Sequence, residues 1–267
     1  MAQENGDWLG LRDRLCVVTG GGRGIGLAIA REFLAVGARV VLLGRSAPAL
    51  AAAAATIDPD GKRSAVRACD VADTASVAEA AGWVEDAVGP VDVLVNNAAV
   101  MHPGALDTLD PADWQAQLDV DLTGCLRTAQ AFGAGMLARG SGALVHISSI
   151  AGSNVQPSSG AYSAAKAALI MLSQQLAVEW GPRGVRSNVV SPGLVEAPMS
   201  AAFYAVPGIR EKREAFVPAR RIGTPEDSAA AVVFLASARA SYINGEEIVV
   251  DGGLRRSLMG HIPRPGY

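Results

Sequence analysis

The sequence predicts an α/β fold: a single doubly wound domain in which a parallel seven-stranded sheet carries helices on both faces. Short runs rich in β-branched residues alternate along the whole chain with longer stretches rich in Ala and Leu. The short runs are almost continuously apolar, which is typical of parallel strands buried on both sides. The 267 residues show no internal repeat and no linker that would separate two domains. We therefore expect one domain over residues 1–267.

Seven strands and the helices between them follow from this alternation. The predicted strands are Leu15–Thr19, Arg39–Leu43, Ser64–Ala68, Val91–Asn96, Ala143–Ser148, Arg186–Ser191 and Glu247–Asp251. The clearest predicted helices are Ile25–Val36, Ala75–Val88, Asp113–Arg139, Ala161–Glu179 and Pro225–Ala236. The alanine run 51–55 falls where a crossover helix is due, and alanine is the best helix former. In a doubly wound sheet ligands bind at the carboxyl ends of the strands, so functional residues are expected there.

Composition narrows the classes of protein to which the chain can belong. The residues are 50% hydrophobic and 18% charged, which is enough apolar surface for a large core. A net charge of -3 gives no general basic field for nucleic acid, and no apolar run reaches the roughly 18 residues of a membrane span. Cys16, Cys69 and Cys125 lack metal-ligand spacing, so we expect no metal site and a reducing compartment. Since the polar N-terminus has no signal-peptide pattern, the chain is predicted to be cytoplasmic.

A glycine-rich turn follows the first predicted strand. From residue 15 the chain reads Leu-Cys-Val-Val-Thr-Gly-Gly-Gly-Arg-Gly-Ile-Gly and runs directly into a helical pattern. Glycines let the backbone turn sharply and approach a pyrophosphate, while the helix N-terminus offers free N–H groups. Glycine also serves ordinary turns, but a strand before it and a helix after it favour nucleotide binding. The residues expected to bind a cofactor here are Gly20, Arg23, Gly24, Ile25 and Gly26.

The pattern Thr19-Gly20-x-x-x-Gly24-x-Gly26 resembles the cofactor motif of the short-chain dehydrogenase/reductase family. Members of that family have one Rossmann-type domain and no separate catalytic domain. The resemblance therefore implies a nicotinamide cofactor and the interconversion of a carbonyl and a secondary alcohol. It extends from Leu11 to about Gly253, with several motifs in register.

The choice of nicotinamide cofactor depends on the end of the second predicted strand. NAD sites commonly carry an acidic residue there for the ribose 2′-OH, whereas an arginine accommodates the 2′-phosphate of NADP. In this chain Gly44 stands at the acidic position and Arg45 follows it. A guanidinium can bind the phosphate through two hydrogen bonds, and Arg23 can add a second cation. The sequence therefore favours NADP(H), with NAD(H) left open because both arginines can also be ordinary surface groups.

Two further segments resemble cofactor contacts of the family. Asp70 and Val71 match the pattern after the third strand, where the aspartate side chain and the next backbone amide contact adenine. Residues 96–99 read Asn-Asn-Ala-Ala and resemble the signature after the fourth strand, with alanine in place of its final glycine. The resemblance places Asn97 and Ala98 beside the cofactor, in a role that is partly structural.

A Pro-Gly turn after the sixth predicted strand also resembles the family. It implies that Pro192, Gly193 and Val195 border the cofactor, with backbone groups near Val195 contacting the carboxamide. The family often has threonine four residues after this glycine, where this chain has Ala197. One phosphate or carboxamide contact is therefore expected to be missing.

Tyr162 and Lys166 are the predicted acid/base pair. They stand at i and i+4 of a predicted helix and so share one face. An isolated tyrosine has a pKa of about 10, and a nearby lysine cation favours its phenolate form. Ser149 precedes Tyr162 by the separation that the family shows between its serine and its tyrosine. The resemblance implies that Ser149 polarises the substrate carbonyl and that Lys166 also binds the nicotinamide ribose.

Asp121 is a departure from the family pattern. The family has an asparagine in a Val-Asn-Leu-x-Gly context, whereas residues 120–124 here read Val-Asp-Leu-Thr-Gly. That asparagine is thought to act through its backbone carbonyl in a proton relay to the lysine, and an aspartate supplies the same carbonyl. Asp121 is therefore a candidate fourth catalytic residue, with a purely structural role as the alternative.

The substrate is expected to be set by the segment 194–220, which has no clean period and suggests a lid or substrate loop. We expect a small hydrophobic or cyclic ketone or alcohol. A 3-oxoacyl-thioester reductase is the alternative. An acyl-carrier partner usually requires a basic patch at the site entrance, and basic residues do cluster near the lid, although two glutamates interrupt them. A non-catalytic NADP(H)-binding protein is a further rival, although such a protein would not need the serine, tyrosine and lysine together. The basic residues near the lid, interrupted by Glu211 and Glu214, are Arg210, Lys212, Arg213, Arg220 and Arg221.

The family resemblance also implies a homo-oligomer, most often a tetramer built on the long helices after the fourth and fifth strands. The C-terminal tail 254–267 contains Leu258, Met259 and Ile262. Apolar residues beyond the last strand are costly to leave exposed, so we expect the tail to pack against a neighbouring subunit.

Overall fold

One parallel sheet organises the chain. The computed structural model describes residues 7–262. Its strands are β1 (Leu15–Thr19), β2 (Arg39–Gly44), β3 (Ser64–Ala68), β4 (Val93–Asn96), β5 (Gly142–Ile147), β6 (Val185–Pro192) and β7 (Glu247–Val250). They form a seven-stranded sheet in the order β3-β2-β1-β4-β5-β6-β7, with every neighbouring pair parallel. The predicted fold class is confirmed, and the strand predictions differ from the structure only at their ends.

Helices cover both faces of this sheet. They are α1 (Gly24–Ala35), α2 (Ala47–Ile57), α3 (Thr74–Ala87), α4 (Pro111–Leu118), α5 (Gly124–Arg139), α6 (Tyr162–Trp180), α7 (Ala201–Tyr204), α8 (Ile209–Phe216) and α9 (Pro225–Ala236). Alternate residues of β1 enter separate cores: Cys16 and Val18 pack with α1 and α9, whereas Leu15 and Val17 pack with α3, α5 and α6. The alternation follows from the two-residue period of a strand. Because both faces of β1 are covered, every residue of this strand is buried.

The order of the strands reverses between β1 and β4. From β1 the chain moves outward to β2 and β3, and it then returns to β4 on the other side of β1. The loops that leave β1 and β4 therefore diverge to opposite sides and leave a crevice beyond the carboxyl ends of the strands. In open α/β sheets this switch point is the usual place for a ligand.

The prediction of one uninterrupted helix over Asp113–Arg139 was wrong in two respects. Helix α4 begins earlier, at Pro111, where the Asp110 carboxylate accepts a hydrogen bond of 2.8 Å from the amide of Ala112. Between α4 and α5 the residues Asp119–Thr123 form a π-helical turn. A π turn holds one extra residue, which apolar periodicity over a long segment does not reveal.

The lid prediction over 194–220 also needs correction, because the segment contains the short helices α7 and α8. Helix α7 has four residues, which is too short for a visible period. Helix α8 reads Ile-Arg-Glu-Lys-Arg-Glu-Ala-Phe, so charges conceal its helical pattern. The structure therefore replaces the aperiodic loop with two short helices.

The predicted tail 254–267 is described as far as Ile262, and residues 263–267 lie outside the described part of the chain. Its described residues form two short 3-10 turns, Leu254–Arg256 and Leu258–His261. The ring of His261 contacts that of Phe216 in α8, with centroids 4.8 Å apart. The tail thus touches the lid. Within residues 7–262, no helix combines the length and the apolar character that crossing a membrane requires.

Candidate functional site

A cavity of about 810 Å³ lies at the carboxyl ends of the strands, at the switch point. Its volume is within the range of small-molecule and cofactor sites. Two predicted site residues, Gly26 and Asp121, do not line it, and both are buried. The predicted residues that do line it are Gly20, Arg23, Gly24, Ile25, Arg45, Asp70, Val71, Asn97, Ala98, Ser149, Tyr162, Lys166, Pro192, Gly193 and Val195.

The glycine-rich turn brings β1 and α1 into close contact. Gly20 has a φ of +64°, a conformation that side-chain-bearing residues rarely adopt. At position 26 a Cβ atom would collide with the carbonyl oxygen of Gly20 and lie 2.5 Å from Nδ2 of Asn97. Gly26 therefore permits the packing of α1 on the turn, whereas Gly20 and Gly24 form the cavity wall. This cradle of backbone atoms at a helix N-terminus suits a pyrophosphate.

Asn97 and Thr19 fix the ends of β1 and β4 to each other. The side-chain amide of Asn97 donates hydrogen bonds to the carbonyl oxygens of Thr19 at 2.9 Å and Gly20 at 3.2 Å. In return, the Thr19 hydroxyl accepts from the amides of Asn97 at 2.9 Å and Ala98 at 3.0 Å. The network holds the glycine turn in place, which agrees with a partly structural role for Asn97.

Two arginines project into the cavity beside this turn. Arg23 precedes α1, and Arg45 directly follows β2. Both side chains are exposed. Neither has an ion-pair partner among residues 7–262. Two uncompensated guanidinium groups at the ribose end of a dinucleotide site can bind a phosphate.

Asp70 and Val71 form the wall beyond β3. One carboxylate oxygen of Asp70 accepts a hydrogen bond of 3.0 Å from the amide of Ala72, which fixes the turn. The carbonyl of Val71 faces away and accepts a 3.4 Å hydrogen bond from Arg127. The outer edge of the cavity is therefore rigid where the adenine contact is predicted.

Ser149 and Tyr162 lie at the two ends of the segment 150–161, and both line the cavity. The hydroxyl of Ser149 accepts a hydrogen bond of 3.1 Å from the amide of Ala151, so its own proton remains available to a bound oxygen. Tyr162 is buried and is the first residue of α6. By contrast, the neighbouring Ser148 donates to the carbonyl of Lys166 at 2.9 Å, a structural bond.

Lys166 faces both Tyr162 and Asp121. Its ammonium lies 5.6 Å from the centre of the Tyr162 ring, donates to the carbonyl of Ile147 at 3.1 Å, and lies 4.0 Å from Oδ2 of Asp121. Burial alone would lower the pKa of Lys166, but the carboxylate of Asp121, with a contribution from Tyr162, raises it above its ordinary value. Lys166 is therefore a cation at neutral pH.

Asp121 is completely buried on the π-helical turn. Its Oδ1 accepts a hydrogen bond of 2.8 Å from the amide of Val100, while Oδ2 is buried without a hydrogen-bond partner in the described chain. Burial raises the pKa of this carboxyl above its ordinary value, and Lys166 counteracts the shift only in part. A carboxylate in this position is an electrostatic partner of Lys166.

Gln117 was not anticipated from the sequence. It is fully buried one turn before Asp121, donates to the carbonyl of Val100 at 3.2 Å, and accepts from the amide of Ala161 at 3.1 Å. Gln117 thereby joins the loop after β4 to the start of α6. A buried glutamine with two specific partners gives no sequence signal, because both partners are distant backbone groups.

The turn at Pro192 and Gly193, at the end of β6, forms the cavity wall on that side. The amide of Gly193 donates to the carbonyl of Val250 at 2.9 Å, and a Cβ at that position would lie 2.6 Å from that of Asp251. Ser200 was also missed: its hydroxyl donates to the carbonyl of Val195 at 2.6 Å and accepts from the amide of Ala197 at 3.1 Å. A hydroxyl is thus present next to Ala197, where a contact was expected to be missing.

Other cavity residues could not be assigned from the sequence. They come from the loop after β4, the loop before α6 and the lid, and they include Met101, Asn154, Gln156, Met199, Tyr204 and Arg213. None belongs to a motif, and only the folded chain brings them together. Within residues 7–262, no three His, Cys, Asp or Glu side chains are grouped so that they could hold a metal ion.

Comparison with known proteins places this geometry among oxidoreductases. Residues 20–255 match the family model described as enoyl-(acyl carrier protein) reductase. The galactitol 2-dehydrogenase (L-tagatose-forming) of Cereibacter sphaeroides is 42% identical over 88% of this chain and 92% of that enzyme. The acetoacetyl-CoA reductase of Synechocystis is 38% identical over 91% of this chain and 97% of that one.

The solved structures that resemble this chain include dehydrogenases as well. A gluconate 5-dehydrogenase from Burkholderia cenocepacia, in complex with NADP and tartrate, superposes with a TM-score of 0.90 at 34% identity. That match covers 94% of this chain and 99% of the other. A short-chain type dehydrogenase/reductase from Mycobacterium ulcerans has a TM-score of 0.88 and 32% identity, and the match covers 92% of this chain and 91% of that one.

Proposed function

Because the chain belongs to the short-chain dehydrogenase/reductase family, we propose that it interconverts a carbonyl and a secondary alcohol, with NADP(H) as cofactor and Tyr162 as acid/base. The observation that carries the proposal is the shared cavity: Ser149, Tyr162 and Lys166 line the same space as the glycine-rich turn. A nucleotide and a reacting alcohol therefore meet in one site.

The residues that would hold the cofactor follow the edge of the sheet. Gly20 and Gly24 provide the pyrophosphate cradle, Asp70 and Val71 the adenine wall, and Pro192, Gly193 and Val195 the nicotinamide end. Arg45 and Arg23 support NADP(H) because they are cations without carboxylate partners in the described chain, although NAD(H) can also occupy such a cradle. When bound, the cofactor supplies or accepts the hydride. The complex of the Burkholderia cenocepacia gluconate 5-dehydrogenase with NADP supports the same choice.

Tyr162 exchanges the hydroxyl proton of the substrate. The cationic Lys166 stabilises the phenolate electrostatically across the 5.6 Å between its ammonium and the ring. Lys166 also has two further donor hydrogens beyond its bond to Ile147, which can reach the ribose. Its near-complete burial keeps water away and strengthens both interactions.

Ser149 holds the reacting oxygen. Its oxygen accepts a hydrogen bond from the amide of Ala151, which orients the hydroxyl. The hydroxyl proton can then be donated to a carbonyl or carbinol oxygen. In alcohol oxidation the same hydroxyl keeps the oxygen beside Tyr162 as the proton leaves.

Asp121 acts through Lys166 and does not touch the substrate. It holds the loop after β4 through the amide of Val100 and presents a second oxygen toward the ammonium. We assign it the role of a positioning residue that sets the charge balance behind Tyr162. The family's asparagine at this position would keep an oxygen for the amide of Val100 but would have no negative charge facing Lys166.

The substrate class that the site supports is a small secondary alcohol or ketone, with a hydrophobic or cyclic skeleton accommodated by side chains such as Met101 and Met199. The acetoacetyl-CoA reductase relative favours the alternative, a 3-oxoacyl thioester. The lid gives limited support to that alternative, because several of its cations are already engaged. Arg210 pairs with Glu196 and Glu214, Arg221 pairs with Asp227, and Arg220 donates to the carbonyl of Ala215.

The proposal includes assembly as a homotetramer in the cytoplasm. Met171 and Val178 lie two turns apart on one side of α6 and are 63% and 76% exposed, which supports a contact with another subunit. The three cysteines are free and buried, in agreement with a reducing compartment.

A turnover screen tests the proposal. The purified protein is incubated with NADPH or NADP⁺ and with cyclic ketones, polyols such as galactitol, and acetoacetyl-CoA, and the absorbance of NADPH is followed. Turnover of ketones or alcohols is expected. Turnover of acetoacetyl-CoA alone would favour the thioester alternative, and tight NADPH binding without any turnover would favour a non-catalytic nucleotide-binding protein.

A further inference from the structure

The lid places an uncompensated positive charge in the wall of the cavity. Arg213 of α8 lines the cavity and is half-buried, and no acidic side chain within residues 7–262 forms an ion pair with it. Arg210, one turn earlier, differs: Glu196 and Glu214 lie 2.7 Å and 3.6 Å from its guanidinium. Among the described lid residues that line the cavity, Arg213 is therefore the one charged side chain.

Tyr204 provides a second unsatisfied group at the same place. The guanidinium of Arg213 lies 5.3 Å from the centre of its ring, and that of Arg210 lies 5.2 Å from it. The Tyr204 hydroxyl is buried and has no hydrogen-bond partner in the described chain, and the residue lines the cavity. A buried O–H group without a partner is costly, and a ligand that supplies an acceptor oxygen removes the cost.

No carboxylate of the described lid residues lines the cavity, because Glu196 and Glu214 pair with Arg210 outside it. Among the described residues that line the cavity, Asp70 is the one carboxylate, and it follows β3. The lid follows β6, and the sheet order separates β3 from β6 by four strands. An anionic group bound at the lid would meet a cation and a hydroxyl donor there, with the only lining carboxylate near the far edge of the sheet.

We propose that Tyr204 and Arg213 bind a carboxylate at the end of the substrate remote from the reacting carbon. This inference rests on the proposed function and names its substrate class, a small hydroxy acid or the corresponding keto acid. A guanidinium can hold a carboxylate through two parallel N–H···O bonds, and the phenol adds a third donor. One uncompensated cation matches a monoanion better than it matches a dianionic phosphate.

Matched ligand pairs test the carboxylate site. The pairs gluconate and glucitol, and threonate and threitol, share a carbon skeleton and differ by a carboxylate in place of a CH₂OH group. Binding to the NADP⁺-loaded protein is measured by isothermal titration calorimetry, which requires no turnover. At least one carboxylate is expected to bind more tightly than its neutral partner, by about 10- to 100-fold.

Three variants locate the effect. Arg213→Gln is expected to abolish the preference for the carboxylate by weakening carboxylate binding, and an unchanged affinity for NADP⁺ shows that the cavity is intact. Tyr204→Phe keeps the ring and should reduce the preference by roughly 5-fold. Lys212→Gln removes the same charge from the adjacent residue of α8 and should retain the full preference.

The outcomes separate this inference from the proposed function. Equal affinities within every pair, or an equal loss in Lys212→Gln and Arg213→Gln, would overturn the carboxylate site even if neutral alcohols are turned over. A carboxylate preference that depends on Arg213, together with no turnover of any ligand, would support the site and contradict the catalytic proposal.

Discussion

The two ends of the cavity hold their side chains in place by different means. At the glycine-rich turn, the hydroxyl of Thr19 and the amide of Asn97 are tied to backbone groups of neighbouring strand ends. At the lid, two cations instead contact other side chains near the surface. Arg210 lies 2.7 Å from the carboxylate of Glu196, and Arg213 lies 5.0 Å from the centre of the Phe203 ring.

The two regions should therefore tolerate different kinds of substitution. The glycine-rich turn is built from closely packed backbone atoms, so it has no room for an added Cβ, but it does not depend on exposed side chains nearby. The lid is held by surface side chains. It therefore tolerates small changes of shape, whereas the change of a single charge can alter which ligand it binds. Substitutions in the two regions should therefore differ in their effects on cofactor affinity.

Gly26→Ala should abolish cofactor binding, because its Cβ would collide with the carbonyl of Gly20 and displace Asn97. The lid counterpart is Gly208→Ala, where a Cβ has no neighbour within 4 Å but the φ of +74° is unfavourable for alanine. That variant should cost about 1 kcal/mol of stability and keep its affinity for NADPH. NADPH fluorescence titration and urea unfolding measure the two effects. Similar affinities in both variants would contradict the contrast.

Arg45→Gln should weaken NADPH binding by about 10- to 100-fold and leave NADH binding nearly unchanged, because only the 2′-phosphate needs the guanidinium. Arg23→Gln is the matched control, and a smaller loss is expected because Arg23 is only a candidate second cation. Fluorescence titration with both nucleotides gives the four affinities. An equal loss for NADH would show that Arg45 supports the fold of the site and does not select the cofactor.

Asp121→Asn should move the pH profile of alcohol oxidation without abolishing activity. The asparagine keeps an oxygen for the amide of Val100 and removes the negative charge 4.0 Å from Lys166. Because the carboxylate of Asp121 raises the pKa of Lys166, its removal lowers that pKa, and the alkaline limb of the kcat profile should shift to lower pH.

Asp119→Asn is the control for that shift. It lies on the same π-helical turn, but its carboxylate lies 3.5 Å from the guanidinium of Arg127. Its profile should coincide with that of the unchanged protein. If Asp121→Asn lowers activity equally at every pH, its role is structural alone.

Asp227→Asn should have the smallest effect, at most about 1 kcal/mol of unfolding free energy, because the pair with Arg221 is largely exposed. The hydrogen bonds of Arg221 lower the pKa of Asp227 to about 2. The contribution of this carboxylate is therefore complete above its ordinary value of 3.8 and is lost as the pH falls through about 2. Urea unfolding at neutral and acidic pH tests it: the difference between the two proteins should diminish in acid. Asp227 also accepts a hydrogen bond of 2.8 Å from the amide of Thr224, which caps α9. A difference that persists unchanged in acid would assign the effect to this cap and not to the ion pair.

Most residues predicted beside the cofactor line one cavity, because their motifs describe backbone geometry. Glycines in the turn at residues 20–26 and Asn97 at a strand end have local patterns that imply a conformation. The lid could not be predicted in this way, since Tyr204 and Arg213 meet only after two short helices have packed. The π-helical turn around Asp121 was likewise hidden, because one extra residue leaves the apolar period of a long helix almost unchanged. Gln117 has distant backbone partners and so has no local pattern at all.

In the proposed reaction Tyr162 exchanges the substrate proton. Measuring both NADPH binding and turnover in Tyr162→Phe tests this role. Tyr242→Phe is the control, because Tyr242 is fully exposed. With the substrate found in the screen, Tyr162→Phe should bind NADPH as the unchanged protein does and lose activity by roughly 100-fold or more, while Tyr242→Phe retains both. Near-normal turnover in Tyr162→Phe with cofactor bound would contradict the assignment of the acid/base.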